Sequence, residues 1–168
     1  LFGGIQDINS KVIKTVGEAD LRFSEDAIRM LRAIRFSSKL NFKIDDEVIN
    51  AINKNAELIK NVSIERINKE MEIILSYKVS KHLMEYKKLF INAYDYKEEF
   101  IEKAIDKIDN FPECLMKVAY LLSFYDEKEF NQNYKYLCTR LKLDMKELSN
   151  AISGYSHGMK QKLCLAAS

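Results

Sequence analysis

The stretch RFSEDAIRMLRAIRF, residues 22–36, combines apolar side chains at helical spacing with charged side chains every three residues. On a helix that turns by about 100° per residue, its apolar members fall between about 40° and about 200° from Asp26. They are Ala27, Ile28, Met30, Leu31 and Ile34. Ser24 is a favourable N-cap, and Glu25 follows it in the first turn. The stretch predicts a helix over about residues 24–38 with one buried face.

The rest of the chain favours an all-α fold, because the residues that usually form loops are nearly absent. No glycine occurs between Gly17 and Gly154, and Pro112 is the only proline. Asp45 or Asp46 is expected to cap a second helix, and Ser63 a third. Further helical patterns cover about residues 80–92, 96–109, 112–125, 127–138 and 144–152.

The N-terminal end departs from this pattern. Gly3 and Gly4 indicate a turn, and KVIKTV, residues 11–16, is a β-branched run that predicts one strand. Because one strand does not form a sheet, its partners are expected upstream of Leu1. The sequence starts at Leu1 without a methionine, so the chain is expected to be part of a longer protein.

Composition excludes several classes of protein. Cys114, Cys138 and Cys164 show no close pair, so neither a disulfide nor a zinc site is predicted. No apolar run is long enough to span a membrane, and the first residues lack the pattern of a signal peptide, which predicts a cytoplasmic protein without membrane contact. The formal net charge is only +2, but residues 21–43 contain six Lys and Arg against two acidic residues. The basic charge is therefore local.

The four charged residues of the first stretch allow two interpretations. Measured around the helix axis from Asp26, Arg29 lies at about 300° and Arg32 at about 240°, on the open side, whereas Arg35 lies at about 180°, at the margin of the buried face. In the first interpretation, Asp26 complements the helix dipole and pairs with Arg29, and the arginines are a solvated surface. In the second, a carboxylate acceptor beside guanidinium donors recognises a ligand.

Nucleobases match the second interpretation. Cytosine and adenine each present an amino donor beside a ring-nitrogen acceptor, whereas guanine and uracil present a carbonyl beside an N–H. An Asp/Arg pair would thus accept C and A and reject G and U by leaving polar groups unpaired. The remaining arginines suit the charge of a triphosphate.

The motif RFSEDAIRMLRAIRFSSKLNF, preceded by LFGGIQDINSKVIKTVGEAD and followed by VSIERINKEMEIIL, resembles the bacterial CCA-adding tRNA nucleotidyltransferase and poly(A) polymerase family. The resemblance implies that Asp26 and Arg29 read the base of CTP or ATP, and that Arg32 and Arg35 also contact the nucleotide. It implies that Glu65, Arg66 and Glu70, in ERINKE, brace the neck. Surface ion pairs remain an equal explanation for those three residues.

The same resemblance implies a division of the chain. Residues 1–23 would be the end of a nucleotidyltransferase head, 24–80 a neck that binds nucleotide and RNA, 81–152 a helical body and 153–168 an atypical tail. The family's metal-binding carboxylates lie in the head, upstream of Leu1. The Mg²⁺ ligands of the parent enzyme would thus be absent here, and this chain alone is predicted to be inactive on CTP, ATP and tRNA.

Residues 154–168, GYSHGMKQKLCLAAS, instead resemble the signature motif of ABC-transporter ATPases. No G-x-x-x-x-G-K-[ST] loop accompanies them, so a chance match or a joined gene fragment is the preferred explanation. Three alternatives to the nucleotidyltransferase hypothesis stay open. They are a helical RNA-binding module without nucleotide selectivity, a poly(A) polymerase fragment and an ABC-ATPase fragment.

Overall fold

The computed structural model describes residues 3–95 and 97–110, and these residues are mainly helical. The helices described are α1 (Gly4–Ser10), α2 (Ala19–Glu25), α3 (Ile28–Leu40), α4 (Asp46–Asn55), α5 (Ile64–Leu75), α6 (Ser80–Glu85), α7 (Lys87–Tyr94) and α8 (Glu98–Ile105). Short 3₁₀ turns cover Ala56–Asn61 and Ile108–Asn110, and the strands β1 (Val12–Ile13) and β2 (Lys43–Ile44) form one small parallel sheet. The predicted all-α class is confirmed.

The core forms where the apolar faces of these helices meet. The predicted buried face of α3 is correct, since Met30, Leu31 and Ile34 are fully buried. Helix α5 packs beside α3 and buries Ile67 and Ile74. Because neighbouring helices cover these faces, the open side of α3 is the side that carries its arginines.

Helices α4 and α5 begin where their capping residues predict. Asp45 has an extended backbone and accepts a hydrogen bond from the Glu47 amide, as an N-cap does. Ser63 precedes α5 with an extended backbone, although its side chain makes no capping hydrogen bond.

The first predicted helix is wrong in its N-terminal part. Two helices, α2 and α3, replace it, and they are separated at Asp26, whose backbone is extended (φ −156°, ψ 101°). Ser24 is not a cap but lies within α2, where its hydroxyl donates to the carbonyl oxygen of Asp20. The predicted domain boundary after residue 23 falls inside α2, whose Phe23 is buried in the common core.

The predicted strand over residues 11–16 is shorter and has a different partner. Gly4, expected in a turn, is instead the first residue of helix α1 (Gly4–Ser10). Gly3 precedes this helix with a positive φ of 70°. β1 then pairs in parallel with β2, with Val12 opposite Lys43 and Ile13 opposite Ile44. The strand therefore has a partner downstream in this chain.

The following helices are shorter than predicted. The pattern over residues 80–92 divides into α6 and α7 at Tyr86, whose side chain is buried and whose backbone leaves the helical region (φ −117°, ψ 33°). Asp109 accepts hydrogen bonds from the amides of Val79 and Ser80 and so caps the start of α6 across a long separation in the chain. This contact joins the end of the described chain to α6.

Several predictions lie outside the described residues. They are the helices over 112–125, 127–138 and 144–152, the three cysteines, and the 154–168 segment. The division into four domains stays a prediction. Among residues 3–95 and 97–110, no helix combines the length and the apolar character needed to cross a bilayer.

Candidate nucleotide-binding site

The candidate site lies where α3 and α5 pack beside each other. The break before α3 carries Asp26, and α3 carries Arg29, Arg32 and Arg35, one every third residue. The neighbouring face of α5 carries Arg66 and Glu70. The structure thus brings these two charged segments together, although they are far apart in the chain.

Asp26 pairs with Arg66 and not with Arg29. Nη2 of Arg66 donates to Oδ2 of Asp26 over 2.7 Å, and the two side chains are 48% and 28% exposed. The pairing of Asp26 with Arg29 expected on a continuous helix does not occur, because the helix is interrupted at Asp26. A backbone hydrogen bond, from the amide of Arg29 to the carbonyl of Asp26, joins the two residues instead.

Arg29 is held by α2. Its Nη1 donates to Oε2 of Glu25 at 2.5 Å and to the carbonyl oxygen of Arg22 at 2.9 Å. The same Glu25 oxygen also accepts from Arg22. Glu25 was predicted only to lie in the first turn of a helix, although its i,i+4 spacing to Arg29 is a recognisable signal.

Glu70 is the most buried charged residue described at the site, with 6% of its surface exposed. Its Oε1 accepts from Nε of Arg32 at 3.2 Å, and its Oε2 lies 3.0 Å from Nη1 of Arg35. The second contact has the distance of an ion pair but not the angle of a hydrogen bond. For Glu70, therefore, the interpretation as a surface ion pair is wrong, because this carboxylate is enclosed between two helices.

Arg35 is partly a structural residue, as its predicted angle suggested. Its side chain is only 22% exposed, and its guanidinium lies 4.5 Å from the centre of the Phe36 ring. Beside it opens a surface groove of about 540 Å³, whose lining includes Arg35, Lys69 and Tyr77. The periodicity of the sequence did not indicate this groove, because α3 and α5 contribute to it jointly.

The pKa of Asp26 is lowered from its ordinary value of 3.8. Burial by itself raises this pKa, but the hydrogen bond and positive charge of Arg66, the Ile28 amide and the charge of Arg29 together outweigh burial. Asp26 is therefore an ionised acceptor with positive charge on two sides. Such a carboxylate suits recognition of an amino group.

We expect Asp26 to make stability depend on pH in the acid range. Because its folded-state pKa is depressed, its contribution is fully present above 3.8 and is lost as the pH falls through the lower folded-state value. Urea unfolding of the unmodified chain and of Asp26→Asn, measured from about pH 6 to about pH 2, should give a difference that shrinks toward low pH. A difference that is constant over this range would contradict the assigned pKa.

The described residues do not form a metal site. No group of three His, Cys, Asp or Glu side chains among residues 3–95 and 97–110 could hold a metal ion. The three carboxylates at the site, Glu25, Asp26 and Glu70, are each already paired with arginine. The charged side chains of this part of the chain offer ionic and hydrogen-bond contacts.

Comparison with known proteins identifies the class. Residues 41–91 match a family model described as "Probable RNA and SrmB- binding site of polymerase A". The chain is 37% identical over 123 residues to the CCA-adding enzyme of Ligilactobacillus salivarius, covering 68% of this chain and 30% of that enzyme. It is 46% identical over 84 residues to the CCA-adding enzyme of Bacillus subtilis, covering 50% of this chain and 21% of that enzyme.

Solved structures agree with the sequence matches. The CCA-adding enzyme of Bacillus stearothermophilus in complex with CTP superimposes with a TM-score of 0.55 at 28% identity, covering 99% of this chain and 40% of that one. The Thermotoga maritima CCA-adding enzyme complexed with tRNA shares the fold, with a TM-score of 0.61 at 20% identity over 100% of this chain and 50% of that one.

The fold of the described residues is that of a helical part of these enzymes. More particularly, the chain belongs to the family of bacterial CCA-adding enzymes and poly(A) polymerases. It spans 30% of the length of the Ligilactobacillus salivarius relative.

Proposed function

We propose that this chain is the neck and body part of a tRNA nucleotidyltransferase that adds CCA, or part of it, to tRNA 3′ ends. In this proposal, residues 24–80 form the neck, residues 81–152 form the body, and residues 1–23 end a head domain that supplies the Mg²⁺ ligands. The observation that carries the proposal is the 37% identity to a CCA-adding enzyme over 123 residues. The cytoplasmic location remains a prediction.

Asp26 and Arg29 are the proposed readers of the base of CTP and ATP. The support is chemical, because an ionised acceptor and a planar donor stand at the same end of α3 on partly exposed side chains. Glu25 occupies part of the Arg29 fork, but a guanidinium has five N–H donors, and side chains that are 31% and 53% exposed can rearrange. Arg32 and Arg35 are the proposed contacts to the phosphates.

RNA binding by the helices that follow α3 is the second part of the proposal. It is supported by the match of residues 41–91 to a family model whose description names an RNA-binding site. The same description names polymerase A, so synthesis of poly(A) is the alternative activity. A non-catalytic RNA-binding module would use the arginines for phosphate contacts only.

The test is incorporation of each of the four NTPs onto tRNA by the parent protein with its head domain. Asp26→Ala should lower the preference for CTP and ATP over GTP and UTP by roughly ten- to a hundredfold, because a bidentate base contact contributes about 1–3 kcal/mol of discrimination. Arg32→Ala should weaken all four NTPs alike, since the phosphate charge is common to them. Arg35→Ala should reduce stability as well as binding, because that side chain is mostly buried.

Asp26→Ala should leave the fold intact, which circular dichroism of the same preparations would check. If this variant still excludes GTP and UTP as well as the unmodified enzyme does, the base-reading role is wrong. Steep salt dependence of RNA binding, with no preference among NTPs, would favour the RNA-binding module.

A further inference from the structure

The side chain of Asp26 is held by a neighbouring helix as well as by the start of α3. Asp26 lies in the break between α2 and α3, where its extended backbone belongs to neither helix. Arg66, in the first turn of α5, reaches across to bond Oδ2 of Asp26 at 2.7 Å. Among the described residues, this is the only salt bridge recorded for Asp26.

We propose that Arg66 is a specificity-determining positioning residue, which holds the Asp26 carboxylate at the angle that selection of C and A requires. This inference rests on the proposed function. Arg66 bonds one carboxylate oxygen, Oδ2, and the Ile28 amide also donates to this carboxylate. The two oxygens together offer about four lone-pair sites, so acceptor sites remain for the amino group of a base.

Bracing of α3 against α5 does not by itself require this pair. The two helices are already joined by the buried Glu70 between Arg32 and Arg35, and by the apolar contacts of their buried faces. An ion pair whose side chains are 48% and 28% exposed adds little to stability. The Asp26 carboxylate, in contrast, is contacted directly by Arg66, whose hydrogen bond bears on its position.

The comparison of Arg66→Ala with Asp26→Ala, in the parent protein with its head domain, tests the inference. Arg66→Ala should lower the preference for CTP and ATP over GTP and UTP by about tenfold, the smaller end of the effect of a lost bidentate contact. The double variant should be no less selective than Asp26→Ala alone, because Arg66 acts through Asp26. The pKa of Asp26, followed by NMR of its carboxyl carbon, should rise in Arg66→Ala.

Two further variants separate positioning from general destabilisation. Lys54→Ala is the matched control, because Lys54 also pairs across helices, but with Asp20, at 2.6 Å, and not with either member of the proposed base-reading pair. It should leave selectivity unchanged. Arg66→Lys keeps the charge but not the planar fork, so it should keep the low pKa of Asp26 while losing part of the selectivity. If Arg66→Ala does not fold, Arg66→Lys is measured in its place.

The outcomes distinguish this inference from the function on which it rests. If Asp26→Ala relaxes selectivity and the Arg66 variants do not, Arg66 only braces the neck and the inference fails, whereas the base-reading role stands. If neither residue affects selectivity, the base-reading role itself fails. If the effects of Arg66→Ala and Asp26→Ala multiply in the double variant, Arg66 acts independently of Asp26, and the positioning role is overturned.

Discussion

Replacing Glu70 by Ala should cost about 3 kcal/mol of unfolding free energy, the lower end of the range of about 3–5 kcal/mol for breaking a buried ion pair. The lower end applies because Arg32 is 47% exposed and is rehydrated when the carboxylate is removed. Arg35 is only 22% exposed, so it is the partner whose charge is least hydrated once the carboxylate is gone. Urea unfolding at neutral pH would measure the difference.

Glu72 provides the matched control for this prediction. It lies on the same helix, is exposed and also borders the groove beside Arg35. Glu72→Ala should change the unfolding free energy by no more than about 0.5 kcal/mol, as is usual for surface substitutions. Equal effects of the two substitutions would mean that the contacts of Glu70 have the strength of exposed ion pairs, about 0–1 kcal/mol.

The Glu70 variant also has a functional consequence. Glu70 holds both Arg32 and Arg35, the two side chains proposed to contact the phosphates. Its removal leaves both side chains without the carboxylate that positions them. In the parent protein, Glu70→Ala should therefore weaken the binding of all four NTPs and leave their order of preference unchanged. A change in that order would indicate that Glu70 also influences the base-reading pair.

Phe23→Ala should be as destabilising, at about 3–5 kcal/mol, the usual range when a buried phenylalanine is truncated. Phe23 is 1% exposed and attaches α2 to the core. Leu21, on the same helix but 60% exposed, is the control, and Leu21→Ala should stay within about 0.5 kcal/mol of the unmodified chain. Thermal and urea unfolding of both variants would give the comparison.

The Phe23 result bears on where the neck begins. If Phe23→Ala is strongly destabilising, α2 belongs energetically to the same unit as α3 and α4, and a division after residue 23 separates parts that fold together. If the two substitutions have equal and small effects, α2 is an extension of the preceding segment, as the predicted domain boundary assumes.

Repeating side-chain patterns predicted most of the helical core. The apolar spacing in α3 identified Met30, Leu31 and Ile34, all of which are buried. This worked because a helix has a constant rotation per residue, so that a buried face is visible as a period in the chain. Local capping by Asp45 was predictable as well, because the cap and the amide that it binds are close neighbours in the chain.

Contacts between distant residues were not predictable in this way. No glycine or proline marks the break at Asp26, and the local pattern favours a continuous helix. In the folded chain, Arg66 and the Ile28 amide both interact with the Asp26 carboxylate, interactions that a continuous helix did not predict. The parallel pairing of β1 with β2 joins residues that are distant in the chain, and no local signal specified it.

The charged residues of the site show the same division. Sequence was sufficient to single out Asp26, Arg29, Arg32 and Arg35 and to place the arginines largely away from the core, because spacing along one helix determines both. The folded chain was needed to assign their partners: Arg66 to Asp26, Glu25 to Arg29, and Glu70 to Arg32 and Arg35. Helical periodicity specifies the direction of a side chain relative to its own axis, whereas an ion pair between helices depends on how two axes pack, and that is a property of the whole core.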